Sequence, residues 1–426
     1  MEKRKERILL CLCHLSGNEQ KFVQEAFDTN WVVPLGPNVN GFEKDLEEFV
    51  NSGSRFKVQV SSEALTKRVV ALSSGTAAVH LGLLACGVGP GDEVCVQSFT
   101  FCASSHPITY LGATPVFIDS EKETWNMDPV LLEEAIKDRI AKTGKKPKAI
   151  VPVALYGMPY QIDKIMEIAN RYEIPVVEDA AEGFGSRFNG QVLGTFGKYG
   201  VLSFNGNKMI TTSGGGALIT ANDDEWREIM MYATQYRESY PYYQHEKIGY
   251  NYRMSNICAG IGRGQMTVAD AHIEHHKHVQ RLYEQLLADV PGITVHKQPS
   301  ESLEFSVESL ESVPKYDSNY WLCTITLDPE VKVKGQENAY KAVVTGAVGG
   351  AAGVIHAAES AHTDCEPNDN VEAMRMGLDA LNIESRPLWK PMHKQPVYKN
   401  APAYLNGVSE ELFKVGMCLP AGPYVT

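Results

Sequence analysis

From residue 69 to residue 220 the chain alternates short apolar runs rich in β-branched residues with helix-length segments of periodic apolar positions. That pattern builds a mainly parallel central sheet sandwiched by helices, an α/β fold. The spacing predicts strands over 69–72, 93–97, 115–119, 149–154, 175–178, 200–204 and 216–220. Between them, Asp128 followed by Pro129 reads as a helix N-cap with proline at the first helical position, so WNMDP punctuates the start of the helix LLEEAIKDRI.

From about residue 221 helices take over. A long polar helix is expected over 268–288, followed by the apolar, strand-like YWLCTITL at 320–327. We expect a large α/β domain over 1–240 and a smaller C-terminal α+β domain over 241–426. Within the second, the Ala/Gly-rich AVVTGAVGGAAGVIHAAESAHTDCEPNDN reads as an insertion spanning about 331–370. Its GAVGGAAG lacks both a preceding strand and the GxGxxG spacing of a dinucleotide loop. At the start, the apolar run 8–15 follows basic residues as in a signal peptide. It is too short and no small-residue cleavage site follows, so a buried first strand is expected there.

With 426 residues, the chain exceeds the length at which one core usually keeps growing, which favours two domains. A formal charge of -12 and a pI near 5.5 argue against a nucleic-acid or anionic-membrane binder, but not against a local phosphate site. No run reaches the roughly 20 apolar residues needed to span a bilayer. Nine scattered cysteines with no CxxC pair point to reduced thiols and a cytoplasmic location. His272 and His276 stand four residues apart without HExxH order, and a solvated helix face is expected rather than a metal site. No GxSxG elbow or GxxxxGK[ST] loop is present, so hydrolase and NTPase chemistry fall away.

Four segments carry candidate chemistry. SFNGNKMITTSGGG, 203–216, sets Lys208 in a tight loop at the exit of a core strand, where desolvation would favour the neutral amine that imine formation needs; taken alone, a surface lysine is the plainer reading, and the neighbouring segments shift it. PVVEDAAEGFGS, 175–186, puts Asp179 at the carboxyl end of an apolar strand, where open α/β sheets place ligands. A carboxylate buried there needs a cationic partner, and a protonated pyridine nitrogen is one; an N-cap is the plainer reading. Glu182, one helical turn on, reads either as a cofactor neighbour or as an ordinary first-turn glutamate. SSGTAAVHLGLLACG, 73–87, runs through Gly75 and Thr76 into a helix, and its opening N–H groups suit a phosphate monoester as well as a simple cap. Ser203 on a neighbouring strand offers a second hydroxyl. In QSFTFCAS, Phe101 or Phe99 emerges at a strand end, where one ring could stack on a flat heterocycle.

Taken in order, SSGTAA, SFTF, VPVALYGMP, VEDAAEGFGS, SFNGNK, GYNYRMSNI and IESRPLWKPMH resemble the DegT/DnrJ/StrS family of fold-type-I aminotransferases acting on nucleotide sugars. The resemblance covers most of 14–425. WVVPLGPNVNGFE and the last motif look most similar to the UDP-4-amino-4,6-dideoxy-N-acetylglucosamine transaminases of bacterial surface-glycan pathways.

The resemblance implies pyridoxal 5'-phosphate as cofactor, with Lys208 as its Schiff-base lysine, Asp179 as pyridinium partner and Phe101 as stacking ring. It implies that Gly75, Thr76 and Ser203 hold the phosphate, and that Glu182 lies near the ring. Asn251 would reach the phosphate of a neighbouring subunit's cofactor with Arg253 beside it, which implies a homodimer with shared sites. His393 and Arg386 would face the nucleotide sugar. The implied reaction moves an amino group, from glutamate, onto a 4-keto-6-deoxy sugar linked to UDP. Two departures stand out, the insertion and an end soon after CLPAG where the resemblance implies a closing helix. The rival readings are a non-catalytic cofactor- or nucleotide-binding relative, and a sugar dehydratase of the same fold, which would carry histidine in place of Lys208. A nicotinamide dehydrogenase lacks its glycine fingerprint here.

Overall fold

A computed structural model describes residues 4–52, 67–301, 314–339, 365–423 and Val425. Its central sheet contains β1 (Arg68–Leu72), β2 (Glu93–Gln97), β3 (Thr114–Ile118), β4 (Ala149–Val151), β5 (Val177–Asp179), β6 (Tyr199–Ser203), β7 (Gly216–Thr220) and β8 (Ala403–Tyr404). Hydrogen bonding gives two runs, β1-β7-β6-β5 and β8-β3-β2-β4. Parallel bridges between Ile150 and Val176 and between Val153 and Asp179 join β4 to β5, so the order across the sheet is β1-β7-β6-β5-β4-β2-β3-β8. Only β7 runs antiparallel to both of its neighbours. The sheet is therefore mainly parallel, and the expected strands lie within a few residues of the observed ones.

The helices among the described residues include α1 (Glu19–Asp28), α2 (Pro37–Asn51), α3 (Gly75–Ala85), α4 (Asn256–Met266) and α5 (Ala269–Leu286). Eight of the eleven residues of α3 are buried, as expected of an apolar helix lying inside the molecule. Pro129 opens the helix Pro129–Thr143, and the Asp128 carboxylate accepts from the Val130 and Leu131 N–H groups, so WNMDP is a cap.

A second sheet assembles Ile293–Val295, Cys323–Leu327, Gly416–Leu419 and Arg386–Pro387 in antiparallel pairs. Its core packs Val295, Ile325, Leu327, Val371, Met417 and Leu419. Most of the insertion lies outside the described residues, but its flanks meet: Val333 N donates to Asn370 Oδ1 at 2.9 Å. No helix among the described residues is long and apolar enough to cross a membrane.

Two expectations are corrected. Residues 8–15 form no strand; they make one parallel bridge, Ile8 to Ile383, and of the eight only Cys11 is buried. The run finds a partner edge at one residue, so its apolar side chains remain partly solvated. The polar helix is present as α5, but His272 and His276 are buried on its inner face rather than solvated. Each imidazole is engaged by a backbone carbonyl, which satisfies its polarity inside the core.

Candidate active site

The carboxyl ends of β1, β2, β5 and β6 converge with the start of β7, bringing together loops distant in sequence. Asp179 is the last residue of β5 and is buried. Ser104 Oγ donates to its Oδ2 at 2.6 Å, and Ala181 N donates to Oδ1 at 3.1 Å. Burial pushes this carboxyl above its ordinary pKa, opposed by the two hydrogen bonds and by the charge of Lys208.

Glu182, also buried, accepts from Tyr156 N at 2.7 Å and from Lys208 Nζ at 3.3 Å. Burial raises its pKa as well, against the pull of the Lys208 charge. Lys208 is 14% exposed, and its ammonium sits 4.1 Å from the centroid of the Trp321 ring. Trp321, 1% exposed, donates from Nε1 to Asn207 O at 2.7 Å. The lysine thus stands between a carboxylate and an indole face, both shielded from water. In such surroundings charge interactions are stronger than at the surface.

Across from it, α3 begins at Gly75 with Ser74 as N-cap, whose hydroxyl accepts from Ala77 N at 3.0 Å. A Cβ on Gly75 would lie 3.0 Å from Ser203 Cβ, so the helix start and the end of β6 are in near contact. A Cβ on Gly216 would lie 2.4 Å from Gly75 N and 2.4 Å from Ser74 C. Glycine at both positions lets β7 press against the turn, which brings the helix N–H groups and the Ser203 hydroxyl to one spot. The half-buried Thr76 adds a hydroxyl at the first turn. That combination suits a phosphate.

Phe101 follows β2, is 49% exposed and lies 5.4 Å from the Trp389 ring, whereas Phe99 is fully buried. Of the two candidate rings, Phe101 is the one that reaches solvent.

The other four candidates are placed differently. Arg253 is paired with Glu43 and donates to Ala71 O at 3.1 Å, tying α2 to β1. Asn251 is exposed and bridges Thr234. The imidazole of His393 is held by the Ser98 hydroxyl at 2.7 Å and by Glu410 at 3.1 Å, so both ring nitrogens are engaged within this chain. Arg386 pairs with Glu384 at 2.8 Å on the edge of the second sheet.

Four residues escaped the reading of the sequence. Ser104 orients Asp179, and Trp321 supports Lys208. Tyr156 has φ +55°, a left-handed conformation that costs a bulky residue on the order of 1–3 kcal/mol, and from it presents its N–H to Glu182. Its hydroxyl accepts from Trp389 N at 2.8 Å. Asn319 donates to the carbonyls of Glu182 and Phe184, both at 2.9 Å, which locks the Glu182 loop to the loop bearing Trp321. The LYG sequence at 155–157, with its glycine after a tyrosine, is the one local signal of this turn.

Whether pyridoxal phosphate fits can be judged from these groups. Asp179 is bonded to a hydroxyl and an amide, neither of them positive, so a protonated ring nitrogen would complement its buried charge. The turn at Gly75 and Ser203 matches a phosphate, and Lys208 lies on the neighbouring loop. The set fits.

Comparison with known proteins agrees. Residues 14–319 match the DegT/DnrJ/EryC1/StrS aminotransferase family. The chain is 39% identical, over 99% of its length and 92% of the other, to a Bacillus subtilis (strain 168) protein named as the putative pyridoxal phosphate-dependent aminotransferase EpsN. It is 33% identical to a GDP-perosamine synthase of Caulobacter vibrioides over 92% of this chain and 87% of that one. The crystal structure of a DegT DnrJ EryC1 StrS aminotransferase from Brucella abortus superposes with a TM-score of 0.76 at 25% identity, covering 96% of this chain and 91% of that one. Site, fold and similarity together make this chain a pyridoxal-phosphate-dependent aminotransferase belonging to the DegT/DnrJ/EryC1/StrS family.

Proposed function

We propose that the chain transfers an amino group from glutamate to the keto carbon of a UDP-linked 4-keto-6-deoxy-N-acetylglucosamine, in surface-glycan biosynthesis. The observation that carries this reading is the pairing of the part-buried Lys208 with the buried Glu182, beside the buried Asp179. Similarity to a GDP-perosamine synthase supports a nucleotide-linked sugar as acceptor. The choice of UDP and of the sugar rests on the resemblance of WVVPLGPNVNGFE and RPLWKPMH.

Pyridoxal phosphate, when bound, would supply an electron sink for the transfer. Asp179 would keep its ring nitrogen protonated. Gly75, Thr76 and Ser203 would hold its phosphate, and Phe101 would lie against its ring. Lys208 Nζ carries the proton between the reacting carbons, with Glu182 as its counter-charge and the Trp321 face excluding water beneath it. Asn251, exposed in one chain, serves a second copy in a homodimer with shared sites. His393 and Arg386 would face the nucleotide sugar and Arg253 would lie beside Asn251, as the resemblance implies. We place the enzyme in the cytoplasm, with a large domain over 1–240 and a small one over 241–426.

Mass spectrometry of the nucleotide product tests the acceptor. Incubation with glutamate and UDP-4-keto-6-deoxy-N-acetylglucosamine should yield the UDP-linked amino sugar. Turnover of a GDP-linked ketosugar alone would refute the UDP assignment.

A further inference from the structure

The segment bearing Lys208 is held at three successive carbonyls by three separate elements. Trp321 Nε1 donates to Asn207 O at 2.7 Å, Cys13 Sγ to Lys208 O at 2.5 Å, and His272 Nδ1 to Met209 O at 3.3 Å. One turn along α5, His276 Nδ1 donates to Tyr320 O at 3.1 Å, the carbonyl immediately before Trp321. Tyr320 itself has φ +48°, a strained conformation for a bulky residue that persists only where its surroundings over-determine it. Two imidazoles on one helix face therefore grip the lysine loop and the indole loop from the same side.

We propose that His272 and His276 are positioning residues that, through the carbonyls of Met209 and Tyr320, set the Lys208 amine over the Trp321 ring. The inference rests on the proposed role of Lys208. Both imidazoles must donate from Nδ1, because a carbonyl only accepts. Burial lowers the pKa of each, that of His276 to about 3, which favours the neutral donor form. A charged imidazole at this depth would carry the cost of desolvation; a neutral one is a fixed strut. The spacing that invites a metal reading is the spacing of two struts one helical turn apart.

The test compares His276→Asn, whose amide nitrogen occupies the place of Nδ1, with His276→Leu, which fills the space without donating. In the cofactor-loaded enzyme, His276→Leu should lower kcat roughly 10- to 100-fold with little change in KM for the sugar, the scale of a small misplacement of a reacting group. His276→Asn should recover most of that loss. In cofactor-free protein, hydrogen exchange of the peptide spanning 205–212 should rise in the leucine variant and stay near wild type in the asparagine variant. Equal behaviour of the two variants, or a change in melting temperature with kcat untouched, overturns the proposal. If His276→Leu does not fold, His272→Leu against His272→Asn makes the same comparison at the Met209 carbonyl. A wild-type protein whose bound cofactor does not respond to glutamate would instead refute the role of Lys208, and with it the ground of this inference.

Discussion

Lys208 Nζ lies 3.3 Å from Glu182 Oε1, and the carboxylate's other oxygen accepts the N–H of Tyr156 at 2.7 Å. The pair links the lysine loop to the strained 155–157 turn. Glu182→Gln retains an acceptor for Tyr156 but removes the charge facing Lys208. It should lower kcat about tenfold or more, the scale of one lost charge-assisted hydrogen bond. Steady-state kinetics that leave kcat unchanged would show that Glu182 is a spectator.

Asp179→Asn preserves the shape of the side chain and an acceptor for Ser104, and removes the negative charge. The variant should still bind pyridoxal phosphate while kcat falls by roughly 100-fold or more, as when a charge aimed at the reacting group is lost. Cofactor stoichiometry and kcat measured on one preparation separate binding from chemistry.

Gly216→Ala forces a methyl group to within 2.4 Å of Gly75 N. The strand or the turn must give way, at roughly 1–3 kcal/mol of stability for overpacking. Because the displaced atoms form the phosphate turn, cofactor affinity should weaken as well. Paired melts and cofactor titrations check both, and an unchanged affinity would detach the Gly75 turn from the phosphate.

How much of this was legible in the sequence varies from residue to residue. The strands at 93–97 and 216–220 and the cap at Asp128 follow from local patterning and stand where expected. Lys208 and Asp179 announce themselves by sitting at strand exits, positions that a linear reading can locate. His272 and His276 misled because a polar helix normally faces water. Their partners, Met209 and Tyr320, lie 63 and 44 residues away, and no local pattern reveals them. His393 is similar: Ser98, 295 residues distant, takes up its Nδ1.

Glu178, beside Asp179 on β5, offers a test by pH. Burial raises its pKa from 4.5 to about 7, although Tyr160 Oη donates to it at 2.9 Å and Phe196 N at 3.3 Å. The folded state thus holds this proton more tightly than the unfolded chain. Its contribution to stability is full below pH 4.5 and is lost as pH rises through about 7. A shift of this size corresponds to about 3 kcal/mol. Glu178→Gln, which never ionises, should gain on the wild type in thermal melts as pH is raised from about 5 to 8. A stability difference independent of pH would contradict the assignment.

The central claim is that Lys208 bonds the cofactor and moves the proton, and one absorbance experiment addresses it directly. Purified protein loaded with pyridoxal phosphate is treated with glutamate and then with UDP-4-keto-6-deoxy-N-acetylglucosamine, with Lys208→Ala alongside. The account predicts that the yellow band of the wild type is bleached by glutamate and returns only with the ketosugar, and that Lys208→Ala shows no such cycle. A Lys208→Ala protein that cycles like the wild type would contradict it.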